Sequence, residues 1–170
     1  IFEVNILRKV KENLEKSIPL RLVNFTEDEF LILKNFNFIT SKKVIYVANV
    51  DEISASIGDN DYSLKLKDYA EKENASVVVM CAKLESELAE LDESEKQMFL
   101  QDVGITNSGL DKLIFATYDL LGLATFFTSG TDGCRAWTFK KGMKAPECAG
   151  IIHSDFEKGF IKAEVMSFDD

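Results

Sequence analysis

Two short runs, Val44-Ile45-Tyr46-Val47-Ala48 and Val77-Val78-Val79-Met80-Cys81, constrain this chain more than any other feature. Each is continuous, apolar, rich in β-branched side chains and flanked by polar residues, the pattern of a strand buried on both faces. Between them Tyr62, Leu64, Leu66, Tyr69 and Ala70 return at helical spacing over 61–73, and further helical patterns cover 94–100 and 108–121. Strand, helix, strand, helix is the alternation that builds a parallel sheet with right-handed crossovers, so the fold class is α/β. Ligands of such sheets sit beyond the carboxyl ends of the strands. That rule makes Asn49-Val50-Asp51-Glu52 and Cys81-Ala82-Lys83 the candidate site.

On the amino-terminal side, Val4, Leu7, Val10, Leu14 and Ile18 recur at intervals of three and four among charged residues, an amphipathic helix stopped near Pro19. It is either the returning arm of a two-helix hairpin or a surface helix on an ordinary core. Thr26-Glu27-Asp28-Glu29 has the form of a capping box ahead of a short helix through Phe30, Leu31, Leu33 and Phe36. After Gly122 the texture changes. Thr125-Phe126-Phe127-Thr128 and Cys134-Arg135-Ala136-Trp137-Thr138-Phe139 alternate across the Gly-rich turn 129–133 as a β-hairpin, and a second, smaller domain is expected to begin here. Lys140-Lys141-Gly142 reads as a turn, 145–150 as the opening of a helix or loop, and 159–165 as a further strand with period-two alternation. The chain starts on Ile1 inside a helical pattern and stops at Phe168-Asp169-Asp170 after a strand-like run, so a fragment is expected.

The formal net charge of −9 argues against wrapping duplex DNA, which demands clustered Lys and Arg. The excess acid lies almost wholly in residues 1–123, leaving room for a local partner surface near the carboxyl end. Three widely spaced cysteines with one histidine fit neither a structural zinc nor a disulfide framework, and match a reducing cytosol. No apolar run approaches the ~20 residues of a membrane span, and no signal-peptide pattern opens the chain. The expectation is a cytoplasmic protein with no membrane partner.

The loop Asn49-Val50-Asp51-Glu52 holds the position of the Asn-Lys-x-Asp loop with which P-loop GTPases read guanine. Val50 replaces the lysine that covers the base, and Glu52 replaces the aspartate that accepts guanine's N1 and N2 protons. A longer carboxylate spoils that geometry. Adenine presents an N6 donor beside an N1 acceptor, which an Asn49 side-chain carbonyl and a backbone N–H near Val50 would meet. Cys81-Ala82-Lys83 has the form of a second base loop, offering the Ala82 N–H and the apolar stem of Lys83. The cofactor-binding candidates are therefore Asn49, Val50, Glu52, Cys81, Ala82 and Lys83.

At this point a resemblance extends over nearly the whole chain. VIYVANVDE (44–52), CAKLESELAEL (81–91), RAWTFKK (135–141) and APECAGIIHSDFEKGFIKAEV (145–165) resemble the YchF/Obg-like ATPase family of P-loop proteins. The HSDFEKGFIKAEV stretch is the most specific part, departing from the family run at Ser154. The resemblance implies residues 1–43 as the end of a helical coiled-coil arm and its connection, 44–121 as the rear half of an Obg-type G domain, and 124–170 as a partial ubiquitin-like (β-grasp) TGS domain. It also implies an ATPase preferring ATP to GTP, using Mg2+ held by an amino-terminal half, and associated with ribosomes. No G-x-x-x-x-G-K-[ST] occurs in these residues, so they are expected to carry base recognition and not phosphate chemistry, with no catalytic or metal residue of their own. The rival readings are an interaction scaffold with a vestigial site, and a GTPase that still prefers guanine.

His153 and Asp155 lack an accompanying nucleophile motif, so catalysis is not expected there. Arg135, Lys140, Lys141, His153 and Lys158 form a candidate partner surface facing ribosomal RNA, since basic groups beside an aromatic such as Trp137 track phosphates and stack bases. Trp137, lying within a strand, is most simply a core residue.

Overall fold

The computed structural model describes residues 2–131 and 133–167; Ile1, Asp132 and Phe168-Asp169-Asp170 lie outside them. The chain divides into two compact units, residues 1–112 and 113–170.

The first unit opens with helix α1 (Phe2–Glu15), whose apolar stripe buries Ile6 and Val10. A 3-10 turn at Leu20–Leu22 follows Pro19, and α2 (Glu27–Phe36) begins at the expected capping box. Thr26 Oγ1 accepts the Glu29 N–H at 3.3 Å, and the Glu29 carboxylate accepts the Thr26 N–H at 2.9 Å. Ile6, Val10, Leu20 and Leu33 close into one apolar cluster, with Val23, Phe25, Ile32 and Phe38 against it. Lys9 crosses from α1 to α2, reaching Glu29 at 3.0 Å.

Strand β1 (Ile45–Asn49), helices α3 (Glu52–Ile57) and α4 (Asp61–Lys72), strand β2 (Ser76–Met80) and helix α5 (Ala82–Leu88) then realise the expected alternation. The strands are parallel, in register from Ile45 against Ser76 to Asn49 against Met80. α4 is the crossover between them, opened by Asn60, whose side chain accepts the Tyr62 and Ser63 N–H groups. Helices α6 (Glu93–Asp102) and α7 (Gly109–Leu121) complete the pattern. A second apolar cluster of Ala55, Cys81, Leu84, Leu88, Leu100 and Ile105 lies among α3, α5 and α6.

Neither strand is buried on both faces as its composition led us to expect. In β1 only Ala48 is buried, and Val47 keeps 43% of its surface exposed. The reason is topological: among the described residues this sheet has two strands, and a strand is enclosed only when helices or neighbouring strands cover both its faces.

In the second unit β3 (Leu123–Gly130) and β4 (Gly133–Lys140) form the expected hairpin, antiparallel from Leu123 against Lys140 to Gly130 against Gly133. Phe126 and Phe139 meet edge to face, with ring centroids 5.8 Å apart, and Trp137 Nε1 donates to Thr128 Oγ1 at 2.9 Å. Trp137 is half-buried, with its polar edge satisfied as a packed indole requires. Helices α8 (Ala145–Ile152) and α9 (Ser154–Lys158) follow. The strand expected over 159–165 is not formed. Residues 160–167 have no regular structure, and Ile161 is 90% exposed. Period-two alternation makes a strand only where another strand takes up its backbone hydrogen bonds, and among the described residues β3 and β4 pair only with each other.

Candidate functional site

The parallel register brings both chains out of the sheet side by side. Val50 extends the ladder by one bond, its N–H donating to the Met80 carbonyl at 2.9 Å. Asp51 then caps α3: its carboxylate accepts the Ser54 N–H at 2.8 Å and the Ser54 hydroxyl at 3.0 Å. Those bonds, the backbone one first, hold the Asp51 carboxyl below its ordinary pKa.

Across the gap Cys81 precedes α5, its side chain buried in the second apolar cluster. The Ala82 N–H donates to Asn49 Oδ1 at 2.9 Å. Because a backbone N–H can only donate, the amide oxygen of Asn49 must face α5, and its NH2 group is what remains for another partner. Lys83 Nζ lies 2.8 Å from Glu52 Oε1 and 3.7 Å from Glu87 Oε1. The Glu52 bond, with both negative charges behind it, raises the lysine pKa. The two loops are thus tied by one neutral and one ionic link. Between them lies an open pocket of about 380 Å³, lined by Asn49, Val50, Asp51, Glu52, Ile53, Cys81 and Lys83.

The floor of the site is held from below. Glu85, one turn into α5, accepts the Gly109 N–H at 2.6 Å and the Leu110 N–H at 3.2 Å, satisfying the first donors of α7. Buried Ser108 accepts the Asp111 N–H at 3.0 Å. A Cβ on Gly109 would stand 2.4 Å from Met80 Cβ, so only glycine permits α7 to approach the end of β2 this closely.

All six residues expected at the site come together, Ala82 through its backbone. Their atoms are deployed otherwise than the sequence argument assigned them. The Asn49 carbonyl and the Ala82 N–H, both expected to meet the base, satisfy each other, and the Val50 N–H belongs to the ladder. The groups remaining for a ligand are the Asn49 NH2 donor and the Val50 carbonyl acceptor. Two lining residues had no role assigned from sequence. Asp51 lies inside the expected loop, and its role as a helix cap carries a legible signal, an Asp-x-x-Ser helix start. Ile53, exposed on the first turn of α3, carries none.

Electrostatically, both carboxylates of this loop are engaged, Asp51 by Ser54 and Glu52 by Lys83. A planar group with an apolar face fits walls of Val50, Ile53 and the Lys83 stem, provided its edge presents one acceptor and one donor.

Elsewhere the expected partner residues form no comparable site. His153 Nδ1 accepts the Asp155 N–H at 3.2 Å, so this histidine caps α9. Lys141 Nζ is held by Asp119 at 2.7 Å. Arg135 stands opposite Thr128 on β4, Lys140 ends that strand and Lys158 ends α9. Among the described residues no three His, Cys, Asp or Glu side chains are placed to hold a metal ion, and no helix is long and apolar enough to cross a membrane.

A family model, YchF-GTPase_C, described as a protein of unknown function (DUF933), matches residues 123–170. The ribosome-binding ATPase YchF of Bacillus subtilis is 57% identical over 172 residues, covering 100% of this chain and 47% of that protein. The proteins of the same name from Pasteurella multocida and Escherichia coli O157:H7 are 47% and 40% identical, each covering 99% of this chain and 46% of the relative. The solved YchF GTPase of Schizosaccharomyces pombe superposes with a TM-score of 0.78 at 33% identity, covering 92% of this chain and 42% of that one. The chain spans just under half the length of the curated relatives it matches.

Proposed function

The chain belongs to the YchF family, and from that premise we propose that it carries the base-reading side of the nucleotide site in a ribosome-associated ATPase. The carrying observation is the pair of tied loops, Asn49 to Ala82 and Glu52 to Lys83, around a pocket at the carboxyl ends of two parallel strands. Adenine lies between the Val50 and Ile53 side chains and the Lys83 stem. The Asn49 NH2 donates to a ring nitrogen, and the Val50 carbonyl accepts from N6. Guanine is disfavoured because its N1 and N2 protons call for one free carboxylate, and both carboxylates at hand already have partners.

The rest of the reading follows the family. The fold is the rear half of an Obg-type G domain, with α1 and α2 as the base of a helical arm and residues 124–170 as part of a TGS domain. Hydrolysis by the whole protein requires a phosphate cradle and Mg2+. Mg2+ is held through the nucleotide's phosphates and one or two carboxylates, and the carboxylates beside this pocket, Asp51 and Glu52, are engaged by Ser54 and Lys83, so we assign Mg2+ no ligand in this chain. The whole protein acts on the ribosome, a reading supported by the ribosome-binding name of its relatives, and in the cytoplasm, with Arg135, Lys140 and Lys158 as its phosphate-facing groups toward ribosomal RNA.

The test is calorimetric titration of the full-length protein with ATP and GTP, beside an Asn49→Ala variant. ATP should bind at least about tenfold tighter than GTP, and the variant should lose about 1.4 kcal/mol or more. GTP binding tighter would refute the adenine reading. Binding of neither nucleotide would leave the interaction scaffold as the function.

A further inference from the structure

We propose that Glu73 is a positioning residue, the joint through which the helical pair α1–α2 sets the geometry of the nucleotide pocket. This rests on the reading of that pocket given above.

The Glu73 side chain is only 7% exposed, yet it is charged. Its Oε2 accepts from Arg21 Nη2 at 2.7 Å, from Arg21 Nε at 3.3 Å and from the Tyr46 hydroxyl at 2.8 Å. Its Oε1 accepts from the Tyr69 hydroxyl at 2.9 Å, and the two tyrosine rings meet edge to face at 5.9 Å. A carboxylate so enclosed is tolerable only while its donors are in place. The Arg21 bond first, then Tyr46 and Tyr69, depress its pKa.

The three donors come from three different places. Arg21 sits in the 3-10 turn after α1, beside Leu20, a member of the first apolar cluster. Tyr46 is the second residue of β1, and Tyr69 lies in the last turns of α4. Glu73 itself ends α4, three residues before β2. The first apolar cluster shares no member with the one beneath the pocket. The first cluster is therefore tied to β1 and α4 by a polar joint, whose hydrogen bonds have a defined geometry.

That joint holds the entry end of both strands: β1 directly through Tyr46, β2 through the chain from Glu73 to Ser76. Asn49 lies three residues past Tyr46, about 10 Å along the strand. A two-stranded sheet is only weakly held by its own ladder, so side-chain anchors at its ends set its twist and register. The Glu73 cluster anchors the entry, the Asn49 to Ala82 bond the exit. A partner that moves the α1–α2 pair pulls on Arg21, and thereby on the strand that delivers Asn49.

The experiment uses the full-length protein and reads ATP affinity with Mg2+. Arg21→Met and Glu73→Gln should each weaken ATP by about threefold to tenfold although neither residue touches the pocket, and the double variant should be no weaker than the single ones. Tyr46→Phe, which deletes one hydroxyl, should show the same direction and guards against a fold lost in the other two. Leu33→Ala, buried in the α1–α2 cluster, should lower the melting temperature with affinity kept within about twofold. If the wild type binds ATP and Asn49→Ala weakens it, but Arg21→Met, Glu73→Gln and Tyr46→Phe bind as wild type, Glu73 is merely structural and the proposal is overturned. Equal weakening by Leu33→Ala overturns it too, since general loosening would then explain the effect. A wild type without ATP affinity removes the nucleotide reading, and this inference with it.

Discussion

Replacing Gly109 by alanine isolates one steric contact. The Gly109 backbone is not in the left-handed region, so alanine can adopt its conformation, and by chain entropy alone the change would stabilise by about 0.5–1 kcal/mol. The added Cβ, however, would stand 2.4 Å from Met80 Cβ and 2.9 Å from Glu85 Oε1. Carbon atoms pack at about 3.5–4.0 Å, so α7 or the end of β2 must retreat by roughly 1.1–1.6 Å. Met80 Cβ cannot rotate away, and overpacking of this kind costs about 1–3 kcal/mol. The net expectation is a loss of about 1–2 kcal/mol, which lowers the melting temperature of the first unit by roughly 5–10 °C. Melting followed by circular dichroism measures it. Hydrogen exchange should also accelerate at the Gly109 and Leu110 amides that Glu85 holds. Two companions sharpen the result. Gly130→Ala, with nothing within 4 Å of its added Cβ, should stay within about 0.5 kcal/mol of wild type. Met80→Ala leaves the obstructing Cβ and should not rescue Gly109→Ala, whereas Met80→Gly should recover part of the loss. A Gly109→Ala protein that melts at or above the wild-type temperature would refute the close approach of α7 to β2.

Leu88→Ala, at 1% exposure in the cluster beneath the pocket, should cost about 2–5 kcal/mol in urea denaturation, and less than 1 kcal/mol would contradict the packing described. Thr26→Ala removes one half of a capping box and should cost about 1 kcal/mol, with Thr26→Ser restoring most of it. Stability should also depend on acid. The Glu73, Asp59, Asp51 and Asp92 carboxyls are all depressed in the folded chain, so the stability they contribute is complete above their unfolded values near 4 and is lost as pH falls through the folded ones. Melting temperature measured from pH 6 to pH 2.5 should fall along that limb. Glu73→Gln should flatten the fall, and an unchanged slope would count against the depressed Glu73.

Element type was legible wherever the signal was local. The capping box at Thr26 needs only four residues, and the hairpin over β3 and β4 needs only alternation around glycines; both formed in place. What failed was the inference from a residue's own pattern to its surroundings. Val44 to Ala48 is apolar enough to be enclosed, yet nothing in those five letters supplies the strands or helices that enclose it, and Val47 stays in water. Residues 159–165 alternate properly, but a strand is a relation between two segments, and the partner is not in the pattern.

The site divides in the same way. Residues 49–52 and 81–83 were legible because chain order and the parallel crossover rule place the carboxyl ends of successive strands together, whatever the side chains do. Which atom meets which was not legible. An asparagine carbonyl and a backbone N–H on adjacent loops look, in sequence, like two groups offered to a base; at 2.9 Å they are one hydrogen bond. The tie has a consequence for recognition. With its oxygen fixed by Ala82, the Asn49 amide has a single orientation, so its NH2 meets the ligand already turned, and the ordering cost is met in folding instead of binding. The same holds for Lys83, whose stem is steadied over the pocket by Glu52 at one end and Glu87 beyond it. Glu52, which in sequence seemed only a carboxylate too long for guanine, thus acts through the lysine. Shortening it to aspartate would free Lys83 before it restored any guanine contact, so Glu52→Asp should weaken ATP without improving GTP.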